Sequence, residues 1–185
     1  MEIKGTAVKS IQEFVKNNFT NDYKKWLDTL PESSNKIMMG GVFANNWYPM
    51  KDAAIEPTKN IAKLFYSNDI KKAAHISGRY SAELGLKGVY KIFVRIARPH
   101  YIIQRAGRIF TSYYSPSEMK VVDVRDKGVT LHITKFPEPD VVIENRIAGW
   151  MEQALELTSC KNVKVHITKS MTSGDAITEI DVNWD

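Results

Sequence analysis

The chain has 185 residues, 43% of them hydrophobic and 25% charged, with a net charge of +5 from 26 basic and 21 acidic residues. That length suits one domain over residues 1–185 that buries a core without covalent staples, and the composition excludes a disordered chain. Cys160 is the single cysteine, no apolar run follows Met1, and no stretch nears the roughly 20 apolar residues of a membrane span, so a reducing, cytoplasmic setting without disulfides is expected.

Apolar residues recur at helical spacing in Ala7, Val8, Ile11, Phe14, Val15 and Phe19, which predicts a first helix over about 6–19. A short second helix carries Tyr23, Trp26, Leu27 and Leu30, and Pro31 stops it because proline lacks the N–H. Residues 31–50 read as irregular, with Gly40-Gly41 as a breaker and Asn45-Asn46 as a turn. A helix is expected from about 50 to 66, with Pro57 causing a kink or moving its start to about Glu56. Ser67-Asn68-Asp69 supplies N-cap residues for a helix carrying Ile70, Ala73, Ala74, Ser77, Gly78 and Ala82. Its small side chains let a second helix approach closely, so it should be central. A further helix is expected over 89–97, and another places Ile102, Ile103, Ala106, Phe110 and Tyr113 on one face, with Arg105 and Arg108 turned away.

The period then changes from helical to alternating. Residues 119–126 and 129–134 read as two strands around Asp126-Lys127-Gly128. Pro137-Glu138-Pro139-Asp140 opens an amphipathic helix with a stripe of Ile143, Ile147, Trp150, Met151, Ala154 and Leu157. Two more alternating strands, 163–168 and 179–184, flank a turn at Ser173-Gly174-Asp175. The fold class is therefore α+β: an N-terminal helical layer (1–115) on a twisted antiparallel β-sheet made by two C-terminal hairpins around an amphipathic helix (116–185).

Motifs that carry chemistry are sparse. The chain contains no G-x-S-x-G, H-E-x-x-H, G-x-G-x-x-G or P-loop, so the sequence favours a non-enzymatic reading. No Lys/Arg run exceeds two residues and no reading motif accompanies the charge, which argues against nucleic acid as a partner. The wet sheet face should gather His132, His166, Glu179 and Asp181, but alternation for solubility predicts the same residues, and no metal site is assigned. Cys160 follows the last helix, where the helix C-terminus disfavours a thiolate nucleophile. Aromatic rings with polar handles, Trp47, Tyr48 and Tyr113, together with Arg98 and His100, form the candidate ligand-binding set, because small-molecule pockets combine such rings with a few polar groups. Core filling is the competing reading of the same rings.

Several fragments together resemble one family: Lys4-Gly5, Trp47-Tyr48-Pro49, Gly78-Arg79, Arg98-Pro99, Tyr113-Tyr114, Gly149-Trp150-x-x-x-Ala154-Leu155-Glu156, Ser173-Gly174-Asp175 and Trp184. They look like an uncharacterised bacterial family of myxobacterial paralogues. That family is similar to 4-vinyl reductase-type domains and, through their fold, to haem–nitric oxide binding domains and TRAPP-type tethering subunits. The resemblance implies helices packed on a twisted antiparallel sheet. Such domains often carry cysteines on either side of the final Gly-Asp turn; here Met171 and Thr178 or its neighbours hold those places, which argues against a thiolate metal site. The Tyr-x-Ser-x-Arg that follows the ligating histidine of haem domains is also missing after His100, which argues against haem. The expected function is a sensory or small-molecule-binding module for a small apolar or aromatic ligand, held between helices and sheet. The alternative is a homodimeric adaptor.

Overall fold

The computed structural model describes residues 1–86 and 99–185; the helix expected over 89–97 and Arg98 lie outside the described residues. The elements run β1 (Glu2–Lys4), α1 (Gly5–Asn18), α2 (Tyr23–Asp28), α3 (Glu32–Met39), β2 (Trp47–Pro49), α4 (Glu56–Phe65) and α5 (Ile70–Gly85). Then follow α6 (Pro99–Ile103), α7 (Ala106–Tyr113), β3 (Tyr114–Ser115), β4 (Glu118–Arg125), β5 (Gly128–Lys135), α8 (Val141–Leu157), β6 (Lys164–Lys169) and β7 (Thr178–Asn183). The α+β class expected from the alternation of periods is what the chain forms.

Helix boundaries follow local chemistry. The Asp69 side chain accepts the Lys72 N–H at the start of α5, and Asp140 does the same for Val142 at the start of α8. Pro57 sits in the first turn of α4, where its missing N–H costs nothing, and a π-helical turn over Lys51–Ile55 leads into it. The segment read as irregular contains α3, which ends at Gly40; Gly41 has φ +85°, a left-handed conformation suited to glycine.

Two sheets result. The two C-terminal hairpins join through β5 and β7 into a four-stranded antiparallel sheet, order β4-β5-β7-β6. Val129, Leu131 and Ile133 face the buried side with Ile180 and Val182, while Thr130 and His132 pair with Asp181 and Glu179 on the other. The outer edge of β4 carries a register irregularity plus Lys120, Asp123 and Arg125, features that discourage strand addition. A second, three-stranded sheet, β2-β1-β3, centres on fully buried Ile3, which sits opposite both Tyr48 and Tyr114.

The centre of the molecule is the crossing of α5 and α8. Gly78 of α5 lies against the backbone of Arg146, and Gly149 of α8 lies against the backbone of His75. The two contacts are reciprocal, three residues apart on each helix. A Cβ at either glycine would fall far inside van der Waals contact of the opposing carbonyl. Ala73, Ala74, Ser77 and Ala82 continue the small-residue face of α5, as their spacing predicts. Beside the glycines, Arg79 pairs with Glu152 and with Glu156 (2.6 Å), and His75 reaches Glu152 at 3.1 Å. Replacement of Gly149 by valine is expected to lower the unfolding free energy by about 3 kcal/mol or more. Urea denaturation measures it, and a loss below about 1 kcal/mol would show that the helices separate without penalty.

Candidate functional site

Between α5–α8 and the inner face of the four-stranded sheet lies a cavity of about 70 Å³. Its walls are mostly apolar: Ile102 of α6, Phe110 of α7, Met119 of β4, Leu131 of β5, Val182 of β7 and Ala154 of α8. Polar groups converge there from three helices and β3: Ser81, Tyr113, Tyr114, Trp150 and Arg146. Arg146 is the single charged residue among the described lining residues.

Arg146 is 3% exposed. Its position follows from the helix crossing, because its own backbone is the surface on which Gly78 rests. Nη1 donates to the hydroxyl of Ser77, next to that glycine. Nε has no hydrogen-bond partner, and neither does the indole N–H of Trp150. The Tyr114 and Tyr113 hydroxyls lie close enough to feel the guanidinium and the indole, yet neither meets these two donors in hydrogen-bond geometry. The two donors are among the four buried side-chain polar atoms left unpaired among the described residues, and both belong to cavity walls. No carboxylate pairs with Arg146 among the described residues. A buried cation without a counter-ion costs several kcal/mol, and an unpaired buried donor costs about 1–3 kcal/mol more.

The neighbouring phenols do not supply the missing negative charge. Burial pushes the Tyr114 hydroxyl up from 10.0 to about 12, against the pull of Arg146, so it stays protonated at neutral pH. Burial also raises Tyr113, opposed by Trp150 and Arg146. Burial in turn lowers Arg146, with Tyr114 and Tyr113 acting in the opposite direction.

The sequence-derived candidates are dispersed. Tyr113 lines the cavity, its ring edge-on to Trp150 with centroids 6.0 Å apart. Trp47 and Tyr48 lie on β2, away from the cavity lining; the Lys4 ammonium stands 4.6 Å from the Trp47 ring centroid, and the Tyr48 hydroxyl accepts the Phe43 N–H at 2.8 Å. His100 is exposed on α6, and Arg98 falls outside the described residues. Arg146 escapes sequence reasoning because its charge reads as solvent-facing. Its signal is positional: it sits three residues after Ile143 and four before Trp150, inside the apolar stripe of α8.

The wet sheet face carries the expected groups: His132, Glu179 and Asp181 make side-chain contacts, and exposed His166 stands opposite Asp181 in register. Glu179 takes His132 at 2.8 Å, Thr168 at 2.8 Å and Lys169 at 3.2 Å, while Asp181 takes Arg125 at 2.6 Å and Thr130 at 2.9 Å. Cys160 is buried beyond the end of α8, and burial rather than the helix terminus leads the upward push on its thiol, with Thr158 pulling down. Buried Glu144 accepts hydroxyl hydrogen bonds from Ser170 (2.6 Å), Thr172 (2.9 Å) and Thr178 (2.6 Å). Hydroxyls and a carboxylate thus tie α8 to the final turn, where the family resemblance places cysteines.

A helical layer over an antiparallel sheet, with a cavity between them, defines the structural class. Solved structures of H-NOX proteins have a similar fold. An Fe(II) unliganded H-NOX protein from K. algicida superposes with a TM-score of 0.69 at 10% identity, covering 99% of this chain and 97% of that one. An H-NOX protein from S. oneidensis in the Fe(II)NO ligation state gives 0.74 at 9% identity, over 99% of both chains. A mutant of the T. tengcongensis H-NOX protein gives 0.65 at 9% identity, over 99% and 98%. At these identities the likeness is one of fold. No family model and no curated protein matches the chain.

The described cavity does not fit a haem. It offers about half the volume of an engineered cavity of roughly 150 Å³ that holds benzene. None of the chain's four histidines lines it: His75 and His132 pair with glutamates, and His100 and His166 are exposed. The Tyr114 phenol is held protonated, which opposes ligation through its oxygen.

Two outcomes follow from the buried charge. Arg146→Met removes a buried cation that no described carboxylate pairs and should raise the unfolding free energy by about 1–3 kcal/mol in urea titrations; a marked loss would make Arg146 a net structural anchor. Above pH 10 the unfolded chain releases the Tyr114 proton while the folded chain retains it to about 12. The associated stability, on the order of 2 kcal/mol, is therefore complete below pH 10 and drains away as the pH rises to about 12. Tyr114→Phe should flatten that part of the stability–pH curve.

Proposed function

We propose that this protein is a sensory or ligand-binding module that takes a small molecule into the cavity between α5–α8 and the four-stranded sheet. The observation that carries the reading is the pair of unspent buried donors, Arg146 Nε and Trp150 Nε1, on an otherwise apolar wall. A protein interior pairs its buried polar groups, and the exceptions point to a partner. Burial of Arg146 lowers stability without completing the fold's own hydrogen bonding, which is the trade a binding site makes. Apolar walls with a few convergent polar groups are the chemistry of small-molecule pockets.

The fold likeness supports a small-molecule module. The H-NOX structures are recorded in Fe(II) and Fe(II)NO states, and this chain has a helix-on-sheet interior of the same architecture. The described cavity, at about 70 Å³ and with no histidine in its lining, argues for a ligand other than haem. Tyr113 is the sequence-derived candidate that belongs to this site. No helix among the described residues is long and apolar enough to cross a membrane.

Native mass spectrometry of protein purified under mild conditions, combined with thermal shift against a small-molecule library, tests the reading. A 1:1 complex is expected, and Ala106→Leu, which fills the cavity from a half-buried wall position, should abolish it. A bare-mass protein that no library member stabilises would count against a ligand site.

A further inference from the structure

We propose that the ligand is a short aliphatic monocarboxylate, held by Arg146. The proposal rests on the cavity being a ligand site and names the chemistry that site selects. Three observations point to it together.

The first is charge. Arg146 is the single charged group among the described lining residues, and no carboxylate among them neutralises it. Tyr114 is protonated at neutral pH and supplies no counter-charge. The described lining therefore contributes one positive charge, on a buried side chain, and a monoanion balances it; a dianion would leave net charge buried.

The second is donor geometry. Nη1 of Arg146 is committed to Ser77, and Nε is unpaired. The Nε side of a guanidinium presents two parallel N–H groups, Nε–H and one Nη2–H, which match the two oxygens of a carboxylate. The unpaired indole N–H of Trp150 is a further donor on the same walls. Donors outnumber acceptors there, which suits an acceptor-only anion.

The third is size and polarity. About 70 Å³ is less than half of the roughly 150 Å³ that holds six-carbon benzene, so the cavity takes a ligand with fewer heavy atoms than benzene. Ile102, Phe110, Leu131 and Val182 favour an alkyl tail over a hydroxylated one. Propionate meets all three requirements.

The test follows the assigned methyl resonances of Met119 and Met151, both on the cavity wall, in protein carrying labelled methionine. Xenon, propionate, and its neutral isosteres propionamide and 2-butanone are titrated separately. Propionate is expected to shift both methyls saturably and to bind at least about tenfold more tightly than either isostere, the worth of one charge-assisted pair. Arg146→Met should lose at least about tenfold in propionate affinity while still taking up xenon. If that variant fails to fold, the comparison of propionate with propionamide on the unaltered chain decides alone. Uptake of xenon or 2-butanone with no preference for propionate would overturn the carboxylate assignment and leave the cavity reading standing. No response of either methyl to any of the four probes would overturn both.

Discussion

Gly78 and Gly149 meet the opposite helix with no side chain between backbone and backbone, and the remainder of the interior is arranged around that contact. An ordinary helix pair sits about 8–10 Å apart because side chains interdigitate. Removing both Cβ atoms at the crossing lets α5 and α8 close further and fixes their relative register, since each glycine must face one particular carbonyl. The same register sets Arg146 against Ser77 on the inner side and Arg79 against Glu152 and Glu156 at the outer side. A structural contact and the candidate binding group are thus one unit of geometry. The arginine is held at the cavity wall by the residue pair that sets the helix spacing.

Much of this is legible in the sequence where a period runs long enough to be read. The small-residue face of α5 announces a close crossing, the shift to alternation at residue 119 announces the sheet, and Asp69 and Asp140 announce their helix starts. The strands β1, β2 and β3 escape because two or three residues cannot display a period. Their pairing is set by tertiary contacts, above all by Ile3 sitting between Tyr48 and Tyr114. The helix α3 escapes because its face carries Ser34 and Met38 in a polar, short segment whose burial comes from neighbours rather than from its own apolar stripe.

The site is half legible for a different reason. Sequence reasoning assigns charged residues to the surface because desolvation is costly, so neither Arg146 nor Glu144 is counted in the buried stripe of α8. Both are buried, and each illustrates a separate exception. Glu144 is satisfied by three hydroxyls from the β6–β7 connection and the start of β7, which makes it a structural tie. Arg146 is left with unspent bonding capacity, which makes it the group that points to a ligand. Aromatic content indicates a pocket but not its wall: Tyr113 belongs to it, while Trp47 and Tyr48 bind back onto their own sheet and the loop before it.

The glycine crossing also has a kinetic side. Glycine within a helix weakens that helix by about 1 kcal/mol relative to alanine, so neither α5 nor α8 is built to persist alone; the side-chain caps at Asp69 and Asp140 offset part of this. The contact that compensates both helices joins positions about 70 residues apart, and closing so long a loop is entropically slow compared with forming either hairpin. The two C-terminal hairpins, with turns of local sequence, can form early. The cavity walls come from both helices and from the sheet, so the cavity and its buried arginine exist only once α5 is packed on α8.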